Sequence, residues 1–298
     1  MAVVPHSAKS VLFAACLGLM LSACAPVPLP EPAVQATAQA GRFCGLAIEG
    51  RRILHPSGAP VVLHGANLPS LTEMTAGAYF PEARLRDLAE AGARAVRLPV
   101  RDAEITPTFI PGPVAAFVAQ ANALGLLVIL SWDEDIQAPV NSRADAAEEW
   151  LRLMVDYLKN NPGVWFDPAN AIRDVSPRRQ RAIAQRLVDV ARGYRADNVL
   201  VINQPDWLAD PDPAIRRLLN DGRVVYGIDV EDMSRYPLDA APFLFTRWRN
   251  SRVAADDLGI GVIAAAYDPD STDPSNGAVL RRYWASQAAA YPDLRDCP

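Results

Sequence analysis

Histidine is nearly absent from this chain. Of 298 residues only His6, His55 and His64 are histidine. No Cys/His group stands at the spacing that zinc ligands need. Acidic residues are frequent enough to hold calcium, but no EF-hand-like loop gathers them. There is no Gly-x-Ser-x-Gly elbow, which argues against a serine hydrolase. There is no Gly-rich phosphate loop after the first strand-like run, which weakens any nucleotide-binding reading. No cofactor or metal is therefore expected. Excess positive charge is missing too. The formal net charge is -5 and the pI is near 5.3. That balance argues against nucleic acid and suits a neutral or cationic partner. No tandem repeat is visible, and no Gly/Ser-rich linker or charge block divides the chain after residue 41.

What is present begins with a targeting pattern. Lys9 supplies a positive start, and residues 11–21 form an apolar run too short for an ordinary membrane span. The run ends in Leu21-Ser22-Ala23-Cys24, which resembles a bacterial lipobox. The resemblance implies a lipoprotein signal peptide over residues 1–23, cleavage before Cys24 and lipidation of Cys24. Ala25 is not Asp, so the resemblance points to the outer rather than the inner membrane of a bacterial cell envelope. Residues 24–40 are the lipidated Cys and a stretch rich in Pro and Ala. Such composition makes a stiff extended tether, or a leader with no role. Residues 41–298 suit one barrel-sized domain.

Cys16 lies in the signal and Cys24 at the lipid site, which leaves Cys44 and Cys297. An oxidising compartment and the closeness of domain termini favour a Cys44–Cys297 disulfide over two buried thiols.

From residue 45 the chain opens with a short strand pair. It then alternates apolar strand-like runs with amphipathic helix-like runs. The strands are expected at 61–63, 95–100, 126–131, 164–167, 199–203, 224–228 and 260–265. Helices are expected over 82–91, 146–160, 178–194 and 278–291. Short continuous apolar strands mean that both faces are buried. Strand, helix, strand at this spacing predicts repeated right-handed βαβ units. The fold class is α/β. A (β/α)8 TIM barrel fits better than an open doubly wound sheet. Seven strands are counted, so the eighth is irregular or missing. Phe243-Leu244-Phe245 is a possible eighth run, but it follows Ile228 too closely for a crossover helix.

In such barrels the site lies at the carboxyl ends of the strands. Three segments there resemble family 5 glycoside hydrolases, the cellulase-like enzymes. Gly58-Ala59-Pro60-Val61-Val62-Leu63-His64-Gly65-Ala66-Asn67-Leu68 is similar to the first strand of that family. Gly92-Ala93-Arg94-Ala95-Val96-Arg97-Leu98-Pro99-Val100 is similar to the second, whose Arg braces the nucleophile. Gly125-Leu126-Leu127-Val128-Ile129-Leu130-Ser131-Trp132-Asp133 is similar to the third, which usually ends in Trp-His.

The departures concern the chemistry. In Val164-Trp165-Phe166-Asp167-Pro168-Ala169-Asn170-Ala171-Ile172 the resemblance assigns Asn170 to a sugar contact. It finds Ala171 where the acid/base Glu should stand. In Gly261-Val262-Ile263-Ala264-Ala265-Ala266-Tyr267 it finds Ala265, or Ala266 in a one-residue shift, where the nucleophile should stand. Hydrolysis by two carboxylates needs both. The resemblance therefore implies a pseudoenzyme that binds a polysaccharide or oligosaccharide, with Arg97, Asn170, Trp132 and Trp207 lining the cleft.

The residues leave alternatives open. Trp132 and Trp207 can stack on a sugar or pack in the core. Asp133, Asp229 and Glu231 can replace the lost acids in an active O-glycosyl hydrolase, or be solvated loop residues. Asp229 and Glu231, two apart, would point the same way on one strand. A purely structural envelope lipoprotein is the third reading.

Overall fold

The computed structural model describes residues 43–76, 81–101, 110–132, 140–169, 172, 175–248, 261–264 and 278–298. All belong to one compact unit, Gln39–Pro298. The expected signal peptide, Cys24 and the expected tether lie outside the described residues.

The first element is a small antiparallel sheet: β1 (Ala47–Glu49), β2 (Arg52–Leu54) and β3 (Pro60–Val61). Gly50, at φ 57°, makes the tight β1–β2 turn, a left-handed conformation that glycine adopts without penalty. The chain then builds β4 (His64–Asn67), β5 (Ala95–Val100), β6 (Leu127–Trp132), β7 (Val164–Ala169), β8 (Leu200–Asn203), β9 (Val224–Asp229), β10 (Phe243–Trp248) and β11 (Gly261–Ala264). These eight strands are parallel. They close when β11 pairs with β4, Val262 opposite His64 and Ala264 opposite Ala66. Among the described residues the helices are α1 (Leu71–Ala76), α2 (Pro81–Glu90), α3 (Ala115–Ala123), α4 (Val140–Leu158), α5 (Pro177–Gly193) and α6 (Ala278–Ala290). The architecture is a (β/α)8 TIM barrel.

Two expectations need correction. The eighth strand is present rather than missing, and irregular as the other alternative held: it is the run beginning Phe243-Leu244-Phe245, and its register shifts after Phe245. It pairs with β9, Phe243 opposite Tyr226. A parallel crossover needs about a dozen residues but not a helix. Residues 230–242 make it with a 3-10 turn, Val230–Arg235, and coil. The first barrel strand also starts later than expected, at His64 rather than at residue 61. Val61 belongs to β3, paired with Ile53.

Side chains alternate between two apolar layers, as a strand period of two requires. The inner layer holds Ala95, Leu127, Ile129, Trp165, Val201, Val225, Leu244 and Ile263. Phe43, Leu46, Ile53, Val61 and Leu294 join it, so the small sheet and the last residues plug the amino end of the barrel. The outer layer takes the alternate positions, among them Val96, Leu98, Val128, Leu130, Phe166 and Ile202, and packs them against the helices.

The two ends of the domain meet at the plug. Cys44 and Cys297 form the disulfide expected from sequence, with Cα atoms 5.4 Å apart. The Cys44 amide donates to the Leu294 carbonyl at 2.8 Å alongside it.

Candidate functional site

Above the apolar inner layer, the same inward positions turn polar. β4 contributes Asn67, β5 Arg97, β6 Ser131, β7 Asp167 and β8 Asn203. Arg97 Nε and Nη2 both donate to Asp167 Oδ2, at 2.8 and 2.6 Å. Nη2 also donates to Ser131 Oγ at 2.6 Å, and Nη1 to Asn67 Oδ1 at 2.9 Å. Asn203 Nδ2 adds a further bond to Asp167 Oδ2 at 2.6 Å. Asn67 in turn donates to the carbonyls of Thr246 and Ala264, at 2.9 and 2.8 Å, and so ties the network to β10 and β11.

Arg97, Ser131, Asp167 and Asn203 are all buried. A buried ion pair is tolerated only with good geometry and further hydrogen bonds around it, and this network supplies both. Space for it is made on β9. A Cβ on Gly227 would lie 2.0 Å from Asn203 Oδ1. Asp167 Oδ1 and Asn203 Oδ1 have no hydrogen-bond partner among the described residues.

The loops beyond the network are also braced. Gln204 directly follows Asn203 and holds φ at 48°, which is uncommon for a residue with a side chain. Its amide donates to the Gly227 carbonyl at 2.7 Å. The buried Gln180 of α5 donates to both the Gln204 and Ile172 carbonyls, each at 2.9 Å. One side chain thereby joins the segments that follow β7 and β8.

Residues 54–228 match the cellulase family, glycosyl hydrolase family 5. The chain belongs to that family. Solved structures agree in fold. A β-glucanase from Saccharophagus degradans, in complex with cellotetraose, is 14% identical with a TM-score of 0.68; the match covers 88% of this chain and 98% of that one. A β-mannanase from Thermomonospora fusca, in complex with mannotriose, is 13% identical with a TM-score of 0.66, covering 84% and 98%. The catalytic domain of a mannanase from Streptomyces sp. SirexAA-E is 17% identical with a TM-score of 0.61, covering 85% and 92%.

Within this family 5 barrel, Arg97 lies inside the mouth. Trp132 and Trp207, expected on the cleft wall, do not face it. Trp132 directly follows the inward Ser131, so its side chain turns to the outer layer, where it is 5% exposed. Trp207 is fully buried in the 3-10 turn Asp206–Ala209. Its Nε1 donates to the Arg217 carbonyl at 3.1 Å, and its ring meets Tyr226 edge-on. Both are buried among apolar side chains.

The proposed spare acids are not aligned as sequence spacing suggested. β9 ends at Asp229, and Glu231 falls in the 3-10 turn, so the two do not share a strand. Asp133, Asn170, Ala171, Ala265 and Ala266 lie outside the described residues.

Asp167 is the participant that sequence reading missed. Its signal was a lone carboxylate within an apolar strand, which needs a buried cation. His64 is another matter. It opens β4 rather than ending a strand, and it is fully buried beside Tyr283, with ring centroids 5.8 Å apart. Among the described residues, no group of three or more His, Cys, Asp or Glu is placed to hold a metal ion.

Proposed function

We propose that this family 5 barrel is a lipid-anchored cell-envelope protein that binds a polysaccharide or oligosaccharide and does not hydrolyse it. The observation that carries this reading is the state of Arg97. In the family resemblance this Arg braces the nucleophile. Here its charge is answered inside the barrel by Asp167, at 2.8 and 2.6 Å. The barrel itself therefore supplies this guanidinium with a carboxylate. Ala171 and Ala265, standing where the resemblance puts the two catalytic Glu residues, can neither transfer a proton nor attack an anomeric carbon.

Glycan contact is assigned to the mouth above the network, with Arg97 and Asn170 as its polar residues. Related barrels were solved with cellotetraose and mannotriose, so β-linked glucan and mannan oligosaccharides are the first ligands to try. The lipobox-like Leu21-Ser22-Ala23-Cys24 supports anchoring at Cys24, with the outer membrane as address.

The test pairs two assays. Soluble β-glucans, β-mannans and aryl β-glycosides are incubated with the protein, and binding of the same sugars is measured by calorimetry. Weak binding without product release is the expected result. Turnover abolished by changing Asp133, Asp229 or Glu231 would instead establish an active hydrolase with relocated acids.

A further inference from the structure

The amino end of the barrel carries a second polar surface, remote from the network at the carboxyl ends. A cavity of about 320 Å³ opens there, lined by Gly45, Leu46, Lys159, Asn160, Arg195 and Arg223 among others. Helices α4 and α5 both run back to this end, as barrel helices must. Lys159 and Arg195 follow their last turns. Neither side chain makes a hydrogen bond or ion pair among the described residues. Arg223 is partly answered, donating to the Asp197 carbonyl at 2.6 Å with the Asp197 carboxylate 3.7 Å away.

Two features separate this rim from an ordinary solvated face. The first is the conformation of Arg195. The α5 helix ends in a Schellman motif, with Ala196 N–H to Ala191 O at 3.1 Å and Arg195 N–H to Arg192 O at 2.9 Å. Arg195 occupies its left-handed position at φ 58°, where glycine is the usual residue. A basic residue near a helix C-terminus complements the helix dipole, but that does not require this strained position. The second is exposed aromatic surface. Tyr157 and Tyr194 are 47% and 39% exposed. They stand two residues before Lys159 and directly before Arg195. Tyrosine beside basic residues is the composition of a membrane–water interface. Gly45 and Leu46, just ahead of β1, line the same cavity.

We propose that this amino-end rim is a membrane-facing surface. Lys159, Arg195 and Arg223 take the phosphate of an anionic lipid headgroup in the cavity, and Tyr157 and Tyr194 rest at headgroup level. The acids Asp156 and Asp197 beside them limit the attraction, and salt screens what remains because the charges are exposed. The carboxyl-end mouth is then left facing away from the bilayer, open to a glycan. This surface rests on the lipoprotein reading of Cys24, and the experiment separates the two.

The full chain is purified from bacterial envelopes, its acylation read by mass spectrometry, and reconstituted in vesicles of phosphatidylcholine with and without phosphatidylglycerol. Amide hydrogen exchange is then compared. Slower exchange over residues 157–161 and 193–198 in the anionic vesicles alone is the expected result. Lys159→Ala and Arg195→Ala should each weaken that protection by roughly fivefold, the worth of one basic side chain at an anionic surface. Unchanged exchange in β6 and β7 shows that the variants are folded. An acylated chain with equal exchange in both vesicles overturns the surface and leaves the anchor. A chain without the acyl group overturns the anchor. The surface is then decided by whether added phosphatidylglycerol vesicles sediment that chain, and failure to sediment overturns it.

Discussion

Arg97 and Asp167 meet across two barrel strands with both bonds on one carboxylate oxygen, and their side chains are 6% and 0% exposed. The pair stands where the strands turn from apolar to polar, so it closes the hydrophobic interior and forms the floor of the mouth. Among the described residues, one cation and one anion are matched within the same network.

Removing either charge should be severe. Arg97→Met leaves the Asp167 carboxylate buried without its cation, and Asp167→Leu leaves the guanidinium without its anion. Each should cost about 3–5 kcal/mol in urea unfolding. The double variant should cost clearly less than the two together, since no lone charge remains buried. Additive losses would show that the pair is not coupled.

The disulfide gives a second prediction. Cys44 and Cys297 enclose nearly the whole domain. Replacing both with Ala should lower stability by about 2–5 kcal/mol, chiefly by freeing the unfolded chain. Thiol titration of the oxidised domain in denaturant should find neither cysteine reactive.

His64 makes stability depend on pH. Burial, with Arg94 nearby adding to it, pushes its imidazole down to about 3 from the ordinary 6.5. Below 6.5 the unfolded chain therefore takes up a proton that the folded chain refuses. The contribution is whole above 6.5 and is lost as pH falls towards 3, by about 1.4 kcal/mol per pH unit. His64→Phe should flatten the stability profile between roughly pH 6.5 and 5, above the usual carboxylate range. An unchanged slope there would mean that His64 is not kept neutral by the fold.

The tryptophans should behave as core. Trp207→Ala should destabilise the barrel by about 3–5 kcal/mol. The same change in an exposed stacking residue would spare the fold and weaken only sugar binding. Thermal unfolding and calorimetry on one sample distinguish the two outcomes.

Much of this molecule was legible in its amino acids. Continuous apolar runs separated by amphipathic segments announced a parallel barrel, because strands covered on both faces leave no polar side to alternate. Cys44 and Cys297 could be paired by elimination, since Cys16 and Cys24 had other assignments. The segments around Asn67 and Arg97 carried the family resemblance.

Other features were decided only by packing. The eighth strand looked implausible because a local rule expects a helix in the crossover, whereas closure of the sheet accepts any chain long enough to return. Trp132 and Trp207 looked like cleft residues because both follow strand ends. Which face a side chain takes depends on strand phase and burial, and in the folded barrel both indoles fall among apolar neighbours. Asp167 was visible as a letter in an apolar run, but its meaning depended on a partner 70 residues away in sequence. Sequence determines which charges exist and which segments can pair. Only the closed barrel decides which charges meet, because that follows from the stagger of its strands and not from their spacing along the chain.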